Sequence, residues 1–148
     1  GALIIGVARG IQWILDQGGI ADTVIYNLQL LLQGMPNQLS AIGMFIVQSI
    51  LNFFIPSGSG QAMATMPIMI PLADVLGVTR QTAVLAFQFG DGFTNIMFPT
   101  MGTLLIYLAF GNVPFERWIK FVGSLLWKIL IVAIIALLIA VKINYGPF

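Results

Sequence analysis

The sequence predicts an all-α membrane protein. A re-entrant helical hairpin is followed by a discontinuous transmembrane helix and a final transmembrane helix. Three observations carry this. Of the 148 residues, 59% are hydrophobic and 7% charged, where a soluble domain carries about 25% charged residues. Two glycine-rich breaks interrupt apolar stretches: Pro56-Ser57-Gly58-Ser59-Gly60-Gln61, and Phe89-Gly90-Asp91-Gly92-Phe93-Thr94-Asn95 followed by Pro99-Thr100. Residues 129–141 form an unbroken apolar run. Lipid satisfies no backbone N–H or C=O group, so each break must be buried in protein or line a watery cavity.

Composition also excludes function classes. A net charge of +1 gives no electrostatic footprint for nucleic acid. The chain has no Cys and no His. That removes disulfide frameworks, thiol nucleophiles, most zinc sites and any Ser–His or Cys–His catalytic pair. Gly58-Ser59-Gly60 is similar to the serine motif of intramembrane rhomboid proteases, but no His is present to activate the serine. Phe89-Gly90-Asp91 is similar to the motif of intramembrane aspartyl proteases, but Gln88 stands where Gly is required and a second core Asp is lacking. An enzyme is not expected.

The elements follow in order. Residues 1–10 read as the end of a transmembrane helix, closed by Arg9 and Gly10. Gly1–Ala8 falls far short of the roughly 20 residues of a span. The expectation is the C-terminal part of a larger protein. Residues 11–19 read as an interfacial turn with Trp13 in the aromatic belt. Over 20–34, Ile20, Val24, Leu28, Leu31 and Leu32 share one face, which suits a helix lying on the membrane surface. Gly34 and Pro36 end it.

Residues 38–76 are read as the hairpin, with Ser57–Gln61 at its tip. Its arms, about 15–18 residues each, rise roughly 22–27 Å, which favours entry and exit on one side over two ordinary spans. Gln48 and Asn52 stand at i and i+4 and so share a face, suited to interhelical hydrogen bonds. Asp74–Arg80 forms the exit, with Thr79 as N-cap of the next helix. Residues 79–110 read as one broken transmembrane helix, interrupted over 89–95. Residues 115–142 are the last transmembrane helix, with Arg117, Lys120, Ser124 and Lys128 in one stripe. The basic residues at its start favour a cytoplasmic loop there, with the hairpin base opening outward.

A helix that ends within the membrane exposes carbonyls, and one that starts there exposes N–H groups. The first suits a hard cation and the second an anionic group. Paired broken helices form such sites in secondary transporters. Asp91 is the most informative residue, because a carboxylate at mid-depth is costly unless paired, coordinated or protonated. It reads either as a ligand for a cation, a proton or a substrate amine, or as a cap on the N–H groups of an adjacent half helix. Ser57 and Ser59 read as ligands or as turn caps.

Several segments together resemble a known family. They are Ala8-Arg9-Gly10-Ile11 and Ile20-Ala21-Asp22-Thr23, then Asn52-Phe53-Phe54-Ile55-Pro56-Ser57-Gly58-Ser59-Gly60-Gln61-Ala62, Thr65-Met66-Pro67-Ile68-Met69 and Pro71-Leu72-Ala73-Asp74, then Arg80-Gln81, Ala86-Phe87-Gln88-Phe89-Gly90-Asp91-Gly92-Phe93-Thr94-Asn95 and Pro99-Thr100. They resemble the YfcC-type branch of the anaerobic C4-dicarboxylate carrier (DcuC-like) family, within the ion transporter superfamily. The resemblance implies half of an inverted-repeat transporter, with elevator-type movement, in the bacterial inner membrane. This chain corresponds to the C-terminal repeat, whose partners are the lipid bilayer, the N-terminal repeat and a second copy of the full-length protein. The residues it marks for substrate or ion are Ser57, Gly58, Ser59, Gly60, Gln61, Gly90, Asp91, Gly92, Thr94, Asn95, Pro99 and Thr100. Na⁺ would sit at Asp91, Thr94, Asn95 and Ser57, with no other cofactor. The transported solute is a small carboxylate, either an amino acid or a C4-dicarboxylate, coupled to Na⁺ or H⁺ or exchanged. The absence of Lys and Arg near either break leans towards an amino acid. The competing reading is a non-transporting membrane subunit that packs against a partner.

Overall fold

The computed structural model describes residues 35–146 continuously and scattered positions between 13 and 31. The helix end expected at 1–10 lies outside the described residues, as does most of the surface helix at 20–34. Positions 23, 27, 30 and 31 of that segment are helical and exposed.

Five helices follow: α1 (Asn37–Phe54), α2 (Gly58–Val75), α3 (Arg80–Thr94), α4 (Gly102–Phe110) and α5 (Phe115–Lys142), with no strand among the described residues. Helices α1 and α2 have 18 residues each and are joined by Ile55-Pro56-Ser57. Pro56 ends α1, and Ser57 N-caps α2 by accepting a hydrogen bond from Gly60 N. Pro67 and Pro71 both lie inside α2 without ending it. Thr79 caps α3 as expected, accepting from Thr82 N.

Three helix ends share one device. After α2, α4 and α5 the chain turns left-handed at Gly77, Asn112 and Asn144. In each case the next residue's N–H donates back into the last turn: Val78 to Ala73, Val113 to Leu108 and Tyr145 to Ala140. These are Schellman closures, and they satisfy carbonyls that would otherwise be orphaned. The ends of α1 and α3, which form the two breaks, do not use it.

The α3 end differs from the sequence expectation. The helix runs on through Gly90, Asp91, Gly92 and Thr94, and the break falls at 95–101. Packing holds the glycines helical: a Cβ built on Gly90 would stand 2.6 Å from Gln48 Cβ and 3.0 Å from the Phe45 carbonyl. Only glycine lets α3 lie this close to α1.

Helices α1 and α3 form the centre. They pack most extensively on each other, and both meet α2 and α5. The contacts run through Ala41, Met44 and Leu51 of α1, Ala83 and Ala86 of α3, and Ala133 and Leu137 of α5. The alanines among them permit the close approach on which helix packing in lipid depends. Among the described residues α5 is the one helix long and apolar enough to cross a membrane. Its outer face presents Phe121, Trp127, Val132 and Ile139, and its stripe of Arg117, Lys120, Ser124 and Lys128 is exposed. Two hydrogen bonds tie α5 to α3: Trp118 Nε1 donates to Ile96 O at 2.7 Å, and Thr79 Oγ1 donates to Tyr145 O at 2.6 Å. The second half of α5 therefore returns along α3 in the opposite direction.

Candidate functional site

The two breaks meet. Gly58, the first residue of α2, lies against the Asp91 carboxylate in the last turn of α3. A Cβ at position 58 would come within 2.8 Å of Asp91 Oδ2. The carboxylate therefore faces the N-terminal end of α2, where the helix dipole favours negative charge. Its side-chain hydrogen bond comes from Asn95 Nδ2 at a long 3.4 Å. No cationic side chain pairs with it among the described residues, where the one ion pair is the exposed Asp74–Arg80. Asp91 itself is buried.

Asn52 of α1 holds the break in α3. Its Nδ2 donates to Asp91 O at 3.0 Å, Thr94 Oγ1 at 2.7 Å and Asn95 Oδ1 at 2.9 Å. The Asp91 carbonyl lies in the last turn of α3 and also accepts from Asn95 N at 3.2 Å, so the amide adds a second donor at this helix end. Thr94 Oγ1 in turn donates to the Gly90 carbonyl.

A second polar layer joins α1 to α2. Gln61 Nε2 donates to Gln48 O at 2.8 Å and to Gln48 Oε1 at 2.7 Å, and Gln48 Nε2 donates to Thr65 Oγ1 at 3.1 Å. Gln48, Asn52, Gln61 and Thr65 are all fully buried. The spacing that put Gln48 and Asn52 on one face thus places both in interhelical hydrogen bonds. Gln61 and Thr65 repeat the same i, i+4 spacing on the facing helix. That match could have found Thr65, whereas no sequence signal announced the contact of Gly90 with α1.

The other expected residues have separate fates. Ser57 Oγ is engaged in the cap of α2, and Gly60 lies beside it. Ser59 and Pro99 are exposed. Gly92 is exposed, with open space where a side chain would project. Thr100 Oγ1 is buried in the link with no partner. Beside the cluster an apolar groove of about 240 Å³ runs past Phe45, Ser49, Thr94 and Phe98, and Asp91 is not among its lining residues. Chemically the polar cluster offers one carboxylate and several neutral oxygens. Among the described residues no three His, Cys, Asp or Glu side chains gather as a metal-ligand group.

Comparison with known proteins gives the same direction. The family model described as "C4-dicarboxylate anaerobic carrier" (DcuC) matches residues 1–142. An Escherichia coli (strain K12) protein described as "Putative basic amino acid antiporter YfcC" is 38% identical over 149 residues, covering 97% of this chain and 29% of the relative. An uncharacterized Haemophilus influenzae protein is 37% identical over 142 residues, covering 96% of this chain and 28% of the relative. The chain thus spans less than a third of the length of these relatives. No solved structure matches. With the apolar exterior of α5 and a match over nearly its whole length, this chain belongs to the C4-dicarboxylate anaerobic carrier family of membrane proteins.

Proposed function

We propose that this chain forms the ion- and solute-binding repeat of a secondary active transporter in the bacterial inner membrane. Residues 38–76 act as a re-entrant hairpin, and α3 with α4 acts as the broken transmembrane helix. The observation that carries this is the convergence of the two breaks, with Gly58 of one against the Asp91 carboxylate of the other. An unpaired carboxylate in membrane-buried protein is a functional feature before it is a structural one, because its burial is costly. In this reading an N-terminal repeat supplies the other half of the site, the full-length protein is a homodimer, and transport is elevator-like.

The solute is an amino acid in preference to a C4-dicarboxylate. A dicarboxylate requires cationic help, and the basic side chains described here (Arg80, Arg117, Lys120, Lys128 and Lys142) are all exposed. Asp91 suits an amine or a small cation. The description of the Escherichia coli relative as a basic amino acid antiporter supports this choice.

Counterflow into proteoliposomes loaded with arginine, ornithine, a neutral amino acid or succinate tests the reading, using the full-length protein. Asp91→Asn keeps an acceptor for Asn95 and is expected to fold normally while abolishing exchange or its cation dependence. Wild-type exchange rate and ion dependence in Asp91→Asn would remove Asp91 from the site. Counterflow of succinate alone would overturn the amino acid assignment.

A further inference from the structure

The buried cluster between α1, α2 and α3 holds more acceptors than donors, and two amide oxygens are left over. Asn52 is fully buried, and its orientation is fixed because its Nδ2 faces three acceptors. Turning the amide would set an oxygen against oxygens. Its Oδ1 has no partner. Gln61 repeats the pattern. It is fully buried, its Nε2 sits on two oxygens of Gln48, and its Oε1 has no partner. Buried polar atoms are almost always hydrogen-bonded, so two bare carbonyl oxygens in one cluster need a reason.

Their placement supplies one. Asn52 lies on α1 and bonds to Asp91 O, and Gln61 lies one turn past Gly58, which touches Asp91 Oδ2. Gln48 connects the two, because it accepts from Gln61 and its Cβ packs on Gly90, the residue before Asp91. The hydroxyls and amide that the sequence marked for Na⁺ are already engaged. Ser57 Oγ caps α2, Thr94 Oγ1 donates to Gly90 O and accepts from Asn52, and Asn95 bonds to both Asn52 and Asp91.

We propose that Asn52 Oδ1, Gln61 Oε1 and the Asp91 carboxylate bind one dehydrated monovalent cation, which is either Na⁺ or the primary ammonium group of the solute. One negative charge balances one positive charge, and two neutral carbonyls replace water. The chemistry is the same for both sources, since a hard cation and an ammonium group both seek oxygen acceptors. The proposal rests on the transport reading above and assigns the ligands within it.

The test is thermal unfolding of the full-length protein in detergent at constant ionic strength, titrated with Na⁺ against choline and separately with arginine. A ligand that binds only the folded state raises the melting temperature in a saturable way. Gln61→Met removes the oxygen and keeps the volume. Thr65→Val breaks the same hydrogen-bond layer without removing a proposed ligand. Both variants are expected to melt lower without ligand. Only Gln61→Met is expected to weaken the responding cation, by about tenfold or more in apparent Kd, with Thr65→Val near wild type. A wild-type response to Na⁺ alone identifies the ion as occupant, and a response to arginine alone identifies the ammonium group. No response to either cation overturns the proposal, as does an equal loss in Gln61→Met and Thr65→Val. If counterflow by the wild-type protein persists in those cases, the transport reading stands and only this ligand assignment falls.

Discussion

Gly58 and Asp91 lie in direct contact although they belong to different helices, and a side chain at position 58 would enter the space of Asp91 Oδ2. The obstructed atom is the end of a side chain, so a methyl group there displaces the carboxylate and leaves the backbone in place. Gly58→Ala is expected to change the melting temperature little and to abolish the stabilisation by Na⁺ or arginine. A melting-temperature titration beside wild type reads both quantities. An unchanged ligand response would show that this contact is not part of the site.

Two glycines near the end of α3 predict opposite outcomes. At Gly90 a Cβ meets Gln48 Cβ at 2.6 Å and Ser49 N at 2.9 Å, which are fixed parts of α1. Gly90→Ala must push α3 off α1, an overpacking cost of about 1–3 kcal/mol. Gly92 has nothing within 4 Å and is helical. Gly92→Ala is expected to be neutral or to stabilise by up to about 1 kcal/mol through helix propensity. Denaturation of the two variants side by side checks the contrast.

Asn52→Leu is expected to loosen the end of α3. The substitution leaves Asn95 Oδ1 without its donor and takes the second donor from Asp91 O, which keeps the Asn95 N–H. The cost is about 1–3 kcal/mol for buried groups left unpaired. Asn52→Asp keeps the size but opposes acceptors with acceptors, and is expected to be at least as damaging near neutral pH. Equal melting temperatures for Asn52→Leu and wild type would contradict the hydrogen bonds seen here.

Trp118→Phe removes the indole N–H that holds the Ile96 carbonyl in the link between α3 and α4. A loss of about 0.5–1.5 kcal/mol is expected, typical of one hydrogen bond. The effect should be local. Amide hydrogen exchange at Met97, Phe98 and Met101, whose N–H groups close the turns of this link, should accelerate, while exchange in α1 stays as in wild type. Uniform acceleration in both places would mean that Trp118 supports the whole bundle.

Much of this molecule is written locally. Composition placed it in a membrane, because so few charges cannot cover a soluble surface. Pro56, Ser57 and Thr79 marked a helix end and two helix starts, since a missing donor and a capping hydroxyl act within a few residues. The last helix, 115–142, was readable from its apolar run. The i, i+4 spacing of Gln48 and Asn52 announced a polar face turned towards protein. Tertiary structure decided the rest, because it depends on contacts between residues distant in the chain. Glycine at 90 reads as a helix breaker until α1 is packed against it, and then it becomes the point of closest approach. Asp91 reads as a lone carboxylate until Gly58 is brought against it. No local rule assigns Asn52 Nδ2 to the end of α3 or ties Trp118 to Ile96. Which oxygens are used up and which remain bare is a property of the packed cluster alone, since hydrogen-bond satisfaction is settled only when every neighbour is in place.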